Sequence, residues 1–283
     1  MKPLFSTSRN ASHTLVGIFL LAIFLLTTSC GNNGFKIENG KVYYSYWTFS
    51  FGQRNDELPD ADPNTFKEVN NWLGRDARHV YFKDRLVHGA DPATVVAEKY
   101  PLFRDKNDYY IQGAPLHVAD MKSFKVLRQI ENDIWAKDSR YAYYDSTRFA
   151  VDDIKNFKVV EWNYATDGIH IYLHGKKLAD SDPDTFQDLG GCYYRDKARV
   201  WFLERPVVGA DPATFQFIGH GYAKDKAHIY YDELIVTDAD YATFIIDEYG
   251  DARDKNGRFA GEKRFEDVPV SEAPKPVPES ELK

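Results

Sequence analysis

The sequence predicts an all-β protein of tandem units of roughly 29 residues, β-hairpin repeats stacked as a solenoid or, as the alternative, closed into a propeller-like ring. Three observations carry that prediction. An aspartate-opened word recurs at fixed spacing, apolar and aromatic residues alternate with period two behind it, and aromatics make up 15% of a chain rich in aspartate turns.

The opening aspartates are Asp76, Asp105, Asp138, Asp167, Asp196, Asp225 and Asp254, at intervals of 29 except for one of 33. A second aspartate follows 15 positions later, at Asp91, Asp120, Asp153, Asp182, Asp211 and Asp240, and 19 positions after the opening one stands Val95, Phe124, Phe157, Phe186, Phe215 or Phe244. Words such as Asp211-Pro212-Ala213-Thr214-Phe215 read as one helical turn, with aspartate as N-cap, proline at the first helical position and phenylalanine tucked inward. A distorted copy starts near Glu38, with an insertion around Phe49 to Asn55, where an atypical capping unit belongs.

Within a unit, the pairs Val80/Phe82, Tyr109/Ile111, Ala142/Tyr144, Ile171/Leu173, Val200/Phe202 and Ile229/Tyr231 share one strand face. Between them, facing the other way, lie Tyr81, Tyr110, Tyr143, Tyr172, Trp201 and Tyr230. A polar turn such as His174-Gly175-Lys176-Lys177, a short second strand and a third extended stretch complete the unit. Three strands in 29 residues are too few for an ordinary propeller blade, which favours the open stack. No unit of this size can bury its own apolar face, so neighbours must cover it.

Ahead of the repeats, Lys2 and Arg9 precede an apolar run from Leu15 to Leu26 that ends in Thr27-Thr28-Ser29-Cys30. That is the order of a secretory signal peptide, and its core is shorter than the ~20 residues a spanning helix needs. The end of the run resembles a bacterial lipobox, although the leucine stands four rather than three residues before Cys30. The resemblance implies a lipoprotein signal over 1–30, acylation of Cys30 (for example with palmitate) and a tether over 31–37. A capping repeat over 38–75, a repeat domain over 76–265 and a disordered tail over 266–283 complete the division. Gly31 in place of an aspartate points to the outer membrane, facing the periplasm or the cell surface. Cys192 is the one other cysteine, so no disulfide framework is expected. The net charge of −7 becomes more negative once the leader is removed, which disfavours nucleic acid as a partner.

Asp105-Lys106-Asn107-Asp108-Tyr109-Tyr110 and Asp254-Lys255-Asn256-Gly257-Arg258-Phe259 resemble the signature of the DKNYF repeat family, with Asp196-Lys197 and Asp225-Lys226 as further points of likeness. Asp76-Ala77, Asp138-Ser139 and Asp167-Gly168 depart from it by lacking the lysine. The resemblance implies a bacterial envelope or secreted repeat protein and leaves biochemical activity open.

No nucleophile elbow, zinc, phosphate-loop or dinucleotide word occurs in the sequence, and neither a catalytic residue, a metal nor a cofactor is expected. Asp60-Ala61-Asp62 and Asp180-Ser181-Asp182 could offer oxygens to calcium, but turn and cap roles account for them. His79, His170 and His228 each stand three positions after an opening aspartate, a position other copies fill differently. Two readings of Tyr81, Tyr110, Tyr143, Tyr172, Trp201 and Tyr230 stay open: a ladder of rings for a glycan or extended peptide, or rings packed between layers with polar tips at the rim. The expected function is a lipid-anchored, non-enzymatic interaction module for an envelope protein or glycan. A passive scaffold is the alternative and a hydrolase a distant third.

Overall fold

The computed structural model describes residues 33–265. The expected leader with Cys30 and the expected tail over 266–283 lie outside the described residues.

Among the described residues, thirty-one short strands form eight antiparallel sheets, each a meander of strands consecutive in sequence. Sheet 1 (residues 34–57) has three strands. Seven four-stranded sheets follow over 67–87, 96–115, 125–149, 158–178, 187–206, 216–235 and 245–265, numbered 2 to 8 in chain order. The repeat therefore holds four strands, not three. The single extended stretch expected after each Asp-Pro word is two strands joined by a tight turn, as in Gln216–Gly219 and Tyr222–Lys224. His220 (φ 50°) and Gly221 (φ 81°) make that turn, both left-handed, which folds the stretch back on itself. With four strands per unit, blade size no longer argues against a ring, and the contacts between sheets decide instead.

Those contacts run between neighbours. Seven apolar clusters each unite two consecutive sheets, such as Val200, Phe202 and Tyr193 of sheet 6 with Ala223 and Tyr230 of sheet 7. None of the seven joins sheet 8 to sheet 1, which is the arrangement of a linear stack. In sheets 2 to 7 the third strand is thus covered on both faces: Val80 and Phe82 pack toward sheet 3, Tyr81 toward Val42 and Tyr44 of sheet 1. Each such aromatic or aliphatic side chain contributes about 1.5–3 kcal/mol on burial, and all of that depends on the neighbouring copy.

The copies share backbone geometry in detail. Seven positions after the opening aspartate, Lys83, Gln112, Asp145, His174, Leu203 and Asp232 all take a left-handed φ of 46–54° to turn the chain into its fourth strand. In sheet 6 the meander bulges between Asp188 and Gly190. A Cβ on Gly191 would come within 2.3 Å of the Phe217 ring, so only glycine lets sheet 7 approach this turn.

One boundary differs from expectation. The tether predicted over 31–37 is strand from Gly34, because Gly34–Glu38 pairs along Lys41–Thr48 and Phe35 packs its ring against Tyr44 and Phe66.

Candidate functional site

The opening aspartates lie where the second strand of a sheet turns into the third; Asp76, Asp105, Asp138, Asp167, Asp196 and Asp225 are buried and Asp254, at the end of its strand, is partly buried. Asp76 Oδ1 accepts the backbone N–H groups of Arg78 and His79, both at 2.7 Å. Its Oδ2 accepts the N–H of Asp62, 14 residues back in the connecting word, and the Tyr81 hydroxyl, both at 3.0 Å. The same four donors recur on Asp105, Asp138, Asp167 and Asp225. One carboxylate thus ties the connector that enters a sheet to that sheet's central hairpin. On Asp196 the hydroxyl is missing because Trp201 takes the tyrosine position; on Asp254 Arg264 replaces it with a two-pronged ion pair.

Burial works against the charge of these carboxylates, yet the converging donors outweigh it. Asp76, Asp138 and Asp225 are held below the usual carboxylate range, and Asp167 falls to about 2. The Arg264 guanidinium holds Asp254 far below that range. Burial, reinforced by the adjacent carboxylate, pushes Tyr81, Tyr143, Tyr172 and Tyr230 well above the ordinary phenol value.

The six rings are therefore core residues. Tyr81, Tyr110, Tyr143, Tyr172, Trp201 and Tyr230 are at most 3% exposed, so they present no ladder to a ligand. They do face away from the apolar pairs, as the period of two requires, but the preceding sheet covers that side. The five hydroxyls turn inward onto the aspartates rather than outward to the rim.

The connecting word is equally committed. Lys106, Lys197, Lys226 and Lys255 pair with Asp91, Asp182, Asp211 and Asp240, 15 residues earlier. Where Ser139 replaces the lysine, its hydroxyl donates to Asp120 at 2.8 Å. Where the word carries a threonine, that side chain accepts the N–H that follows the opening aspartate, as Thr94 does from Lys106 and Thr214 from Lys226.

One group of possible metal ligands, Asp152, Asp167 and His170, gathers beside sheet 5. Asp152 Oδ2 already lies 2.8 Å from His170 Nδ1 and 2.6 Å from Lys177 Nζ, and Asp167 is filled by its donors. A cation would have to displace the lysine. Of the calcium candidates, Asp180 pairs with Arg199 and Asp182 with Lys197, while Asp62 Oδ1 receives the N–H of Asn64. His79 and His228 lie beside their own aspartate and tyrosine, and Cys192 is exposed in the turn before Tyr193.

A surface feature of another kind lies between sheets 4 and 5. Lys125, Arg128, Lys137, Lys155 and Lys158 line an open groove of about 680 Å³, together with Asn156, Phe157 and three further apolar residues, and no acid is in its lining. Lys137 is buried; its Nζ donates to the carbonyls of Ile154, Lys155 and Phe157, which satisfy its hydrogens without neutralising its charge. Burial and the nearby Lys125 both push the Lys137 ammonium down from its ordinary value. Sheet 4 belongs to the single 33-residue interval, and its first strand, Lys125–Ile130, is the longest first strand among sheets 2 to 8.

A family model matches residues 35–205 and 193–268, which together span nearly all of the described chain. The chain belongs to the DKNYY family. In the DKNYY signature as it stands at Asp105-Lys106-Asn107-Asp108-Tyr109-Tyr110, the aspartate is the buried tie, the lysine its bridge to the preceding connector, and the second tyrosine the hydroxyl donor. No curated protein and no solved structure matches the chain.

Sequence reasoning missed the groove because its cations come from two repeats and meet only when the sheets stack. The signal that could have found it was the four-residue irregularity, with Lys125 and Arg128 on one side and Lys155 and Lys158 on the other.

Proposed function

We propose that this DKNYY chain is a non-enzymatic binding module of the bacterial envelope, tethered by a lipid on Cys30 at the outer membrane, whose ligand is an anionic polymer held in the groove between sheets 4 and 5. One observation carries the reading: Lys125, Arg128, Lys155 and Lys158 line the groove around the buried Lys137 with no acid in the lining, on a protein of net charge −7. Such a concentration of one sign raises the local density of negatively charged partners. The non-enzymatic part rests on the carboxylates, since the repeated aspartates already accept several hydrogen bonds each and are spoken for by the fold.

Titration of the purified protein with heparin fragments, a sulfated glycan, and separately with poly-glutamate tests the reading and separates glycan from acidic peptide. Binding should weaken as salt rises and fall at least tenfold, about 1.4 kcal/mol, in Arg128→Glu combined with Lys158→Glu. Undiminished binding by that variant would remove the groove from consideration. The anchor has its own test: metabolic labelling with palmitate should mark the wild type and leave Cys30→Ser unlabelled.

A second reading, a scaffold that only sets length, is favoured by the aspartate ties that recur from repeat to repeat. It predicts no binding of either polymer.

A further inference from the structure

The irregular hairpin of sheet 1 carries three large aromatic side chains that the fold does not use. Strands Lys41–Thr48 and Gly52–Glu57 are joined through Phe49-Ser50-Phe51. Phe49 is 93% exposed, Phe51 76% and Trp47 51%. Scattered exposed apolar residues are ordinary on any protein, but three neighbours at one tip leave a contiguous apolar surface in water. The tip has a defined shape: the Phe51 N–H donates to Thr48 Oγ1 at 3.2 Å, the Trp47 and Phe49 rings meet edge to face at 6.2 Å, and Arg54 lies 6.0 Å from the Phe51 ring. Residues 47–54 contain this arginine and no acid.

The register shows where the tip points relative to the start of the chain. Gly34 pairs with Ser45, and Asn33 Oδ1 accepts the Trp47 N–H at 3.2 Å. The strand that begins at Gly34 therefore starts at the same end of the sheet as the aromatic tip. Cys30 stands three residues before Asn33, a reach of at most ~10 Å even when fully extended.

We propose that Trp47, Phe49 and Phe51 form a membrane contact that inserts into the lipid interface beside the acyl chains of Cys30, so that sheet 1 is held against the bilayer by two adjacent points. Aromatic side chains next to a base suit the boundary between headgroups and acyl chains. A lipid on Cys30 alone would leave the stack swinging on a short tether. The second contact fixes sheet 1 to the surface and leaves the remaining sheets projecting. The proposal rests on the lipid anchor for the position of the membrane, while the tip's affinity for lipid is a property of its own residues.

The acylated protein, extracted from cells and reconstituted into phosphatidylcholine vesicles with and without brominated acyl chains, provides the test. Trp72, Trp135 and Trp201 are buried, which leaves Trp47 and Trp162 as the tryptophans with substantial exposure. Bromine should quench part of the wild-type emission. Trp47→Phe, which keeps the tip aromatic, should lose that quenching, and Phe49→Ser with Phe51→Ser should reduce it while Trp47 remains. Quenching that survives Trp47→Phe, or no quenching at all, overturns the proposal. So does a dimer that the double serine variant dissolves without any lipid quenching, which would assign the tip to a second copy. If intact mass shows no acyl group on Cys30, the anchor fails by itself; unacylated protein added to the same vesicles should still be quenched through Trp47, and the absence of that quenching overturns the tip.

Discussion

The Tyr172 hydroxyl donates to Asp167 Oδ2 at 2.8 Å, at a position where the next copy has Trp201 and leaves Asp196 with backbone donors alone. A hydrogen bond to a charged acceptor contributes about 1.5–3 kcal/mol. Tyr172→Phe keeps the ring between Phe149 and Phe157 and removes only the hydroxyl, which donates to Asp167 and accepts the Asp152 N–H at 3.3 Å. It should lower stability by about that amount in a urea titration, whereas Tyr172→Ala, which also opens a cavity, should cost about 3–5 kcal/mol. A Tyr172→Phe variant as stable as the wild type would show that the hydroxyl contributes nothing.

The two charges of the signature should behave very differently when removed. Lys226 is exposed and its pair with Asp211 is shared with water, so Lys226→Ala should leave the urea midpoint nearly unchanged. Asp225 is buried and receives the N–H groups of Asp211, Ala227 and His228 besides the Tyr230 hydroxyl. In Asp225→Asn the amide can accept at one atom only, and each buried donor left unpaired costs about 1–3 kcal/mol. A midpoint shift for Lys226→Ala as large as that for Asp225→Asn would contradict this ordering.

The ties explain why the repeat could be read from the sequence. An interval of 29 persists because Asp76 must meet an N–H 14 residues back and a hydroxyl five residues on, so both distances are contacts as well as spacings. The two faces of the Val80–Phe82 strand were legible for the same reason. What covers the Tyr81 face was not, since alternation tells sides apart without saying whether water or another sheet lies beyond. The fourth strand was hidden because the turn that creates it changes composition from copy to copy, Asn70-Asn71-Trp72, Gly190-Gly191-Cys192 and Gly219-His220-Gly221, so no repeated word marks it. Charge convergence at the groove depends on the packing of two sheets, which no local pattern encodes.

Acid should loosen the stack at a predictable pH. The Asp167 carboxyl titrates near 3.8 in the unfolded chain and near 2 in the fold, so its stabilisation is complete above pH 4 and is lost as pH falls through 2. A difference of that size between the folded and unfolded chain corresponds to about 2 kcal/mol for a buried carboxyl. Asp76, Asp138 and Asp225 are displaced in the same direction, so their losses fall in the same acid window. Thermal melts should hold steady from pH 7 to 5 and drop steeply between 4 and 2. A melting temperature that stays flat to pH 2 would mean the aspartates do not hold the sheets together.

Alkali should act through the opposite member of each pair. Burial raises the Tyr44 and Tyr222 phenols to about 12, and those bonded to aspartate go higher still. A raised folded-state value means that stability is full below pH 10, where the unfolded phenol starts to ionise, and is lost progressively as pH climbs toward the folded value. Every tenfold weakening of a phenol's acidity on folding corresponds to about 1.4 kcal/mol, and several tyrosines together match the whole stability of a typical domain, about 5–15 kcal/mol. Tyrosinate absorbance from the buried phenols should therefore appear well above pH 10, together with the loss of β-sheet circular dichroism. Smooth ionisation of all 19 tyrosines near pH 10 with the sheets intact would show that the rings lie in water and that the stack is not closed around them.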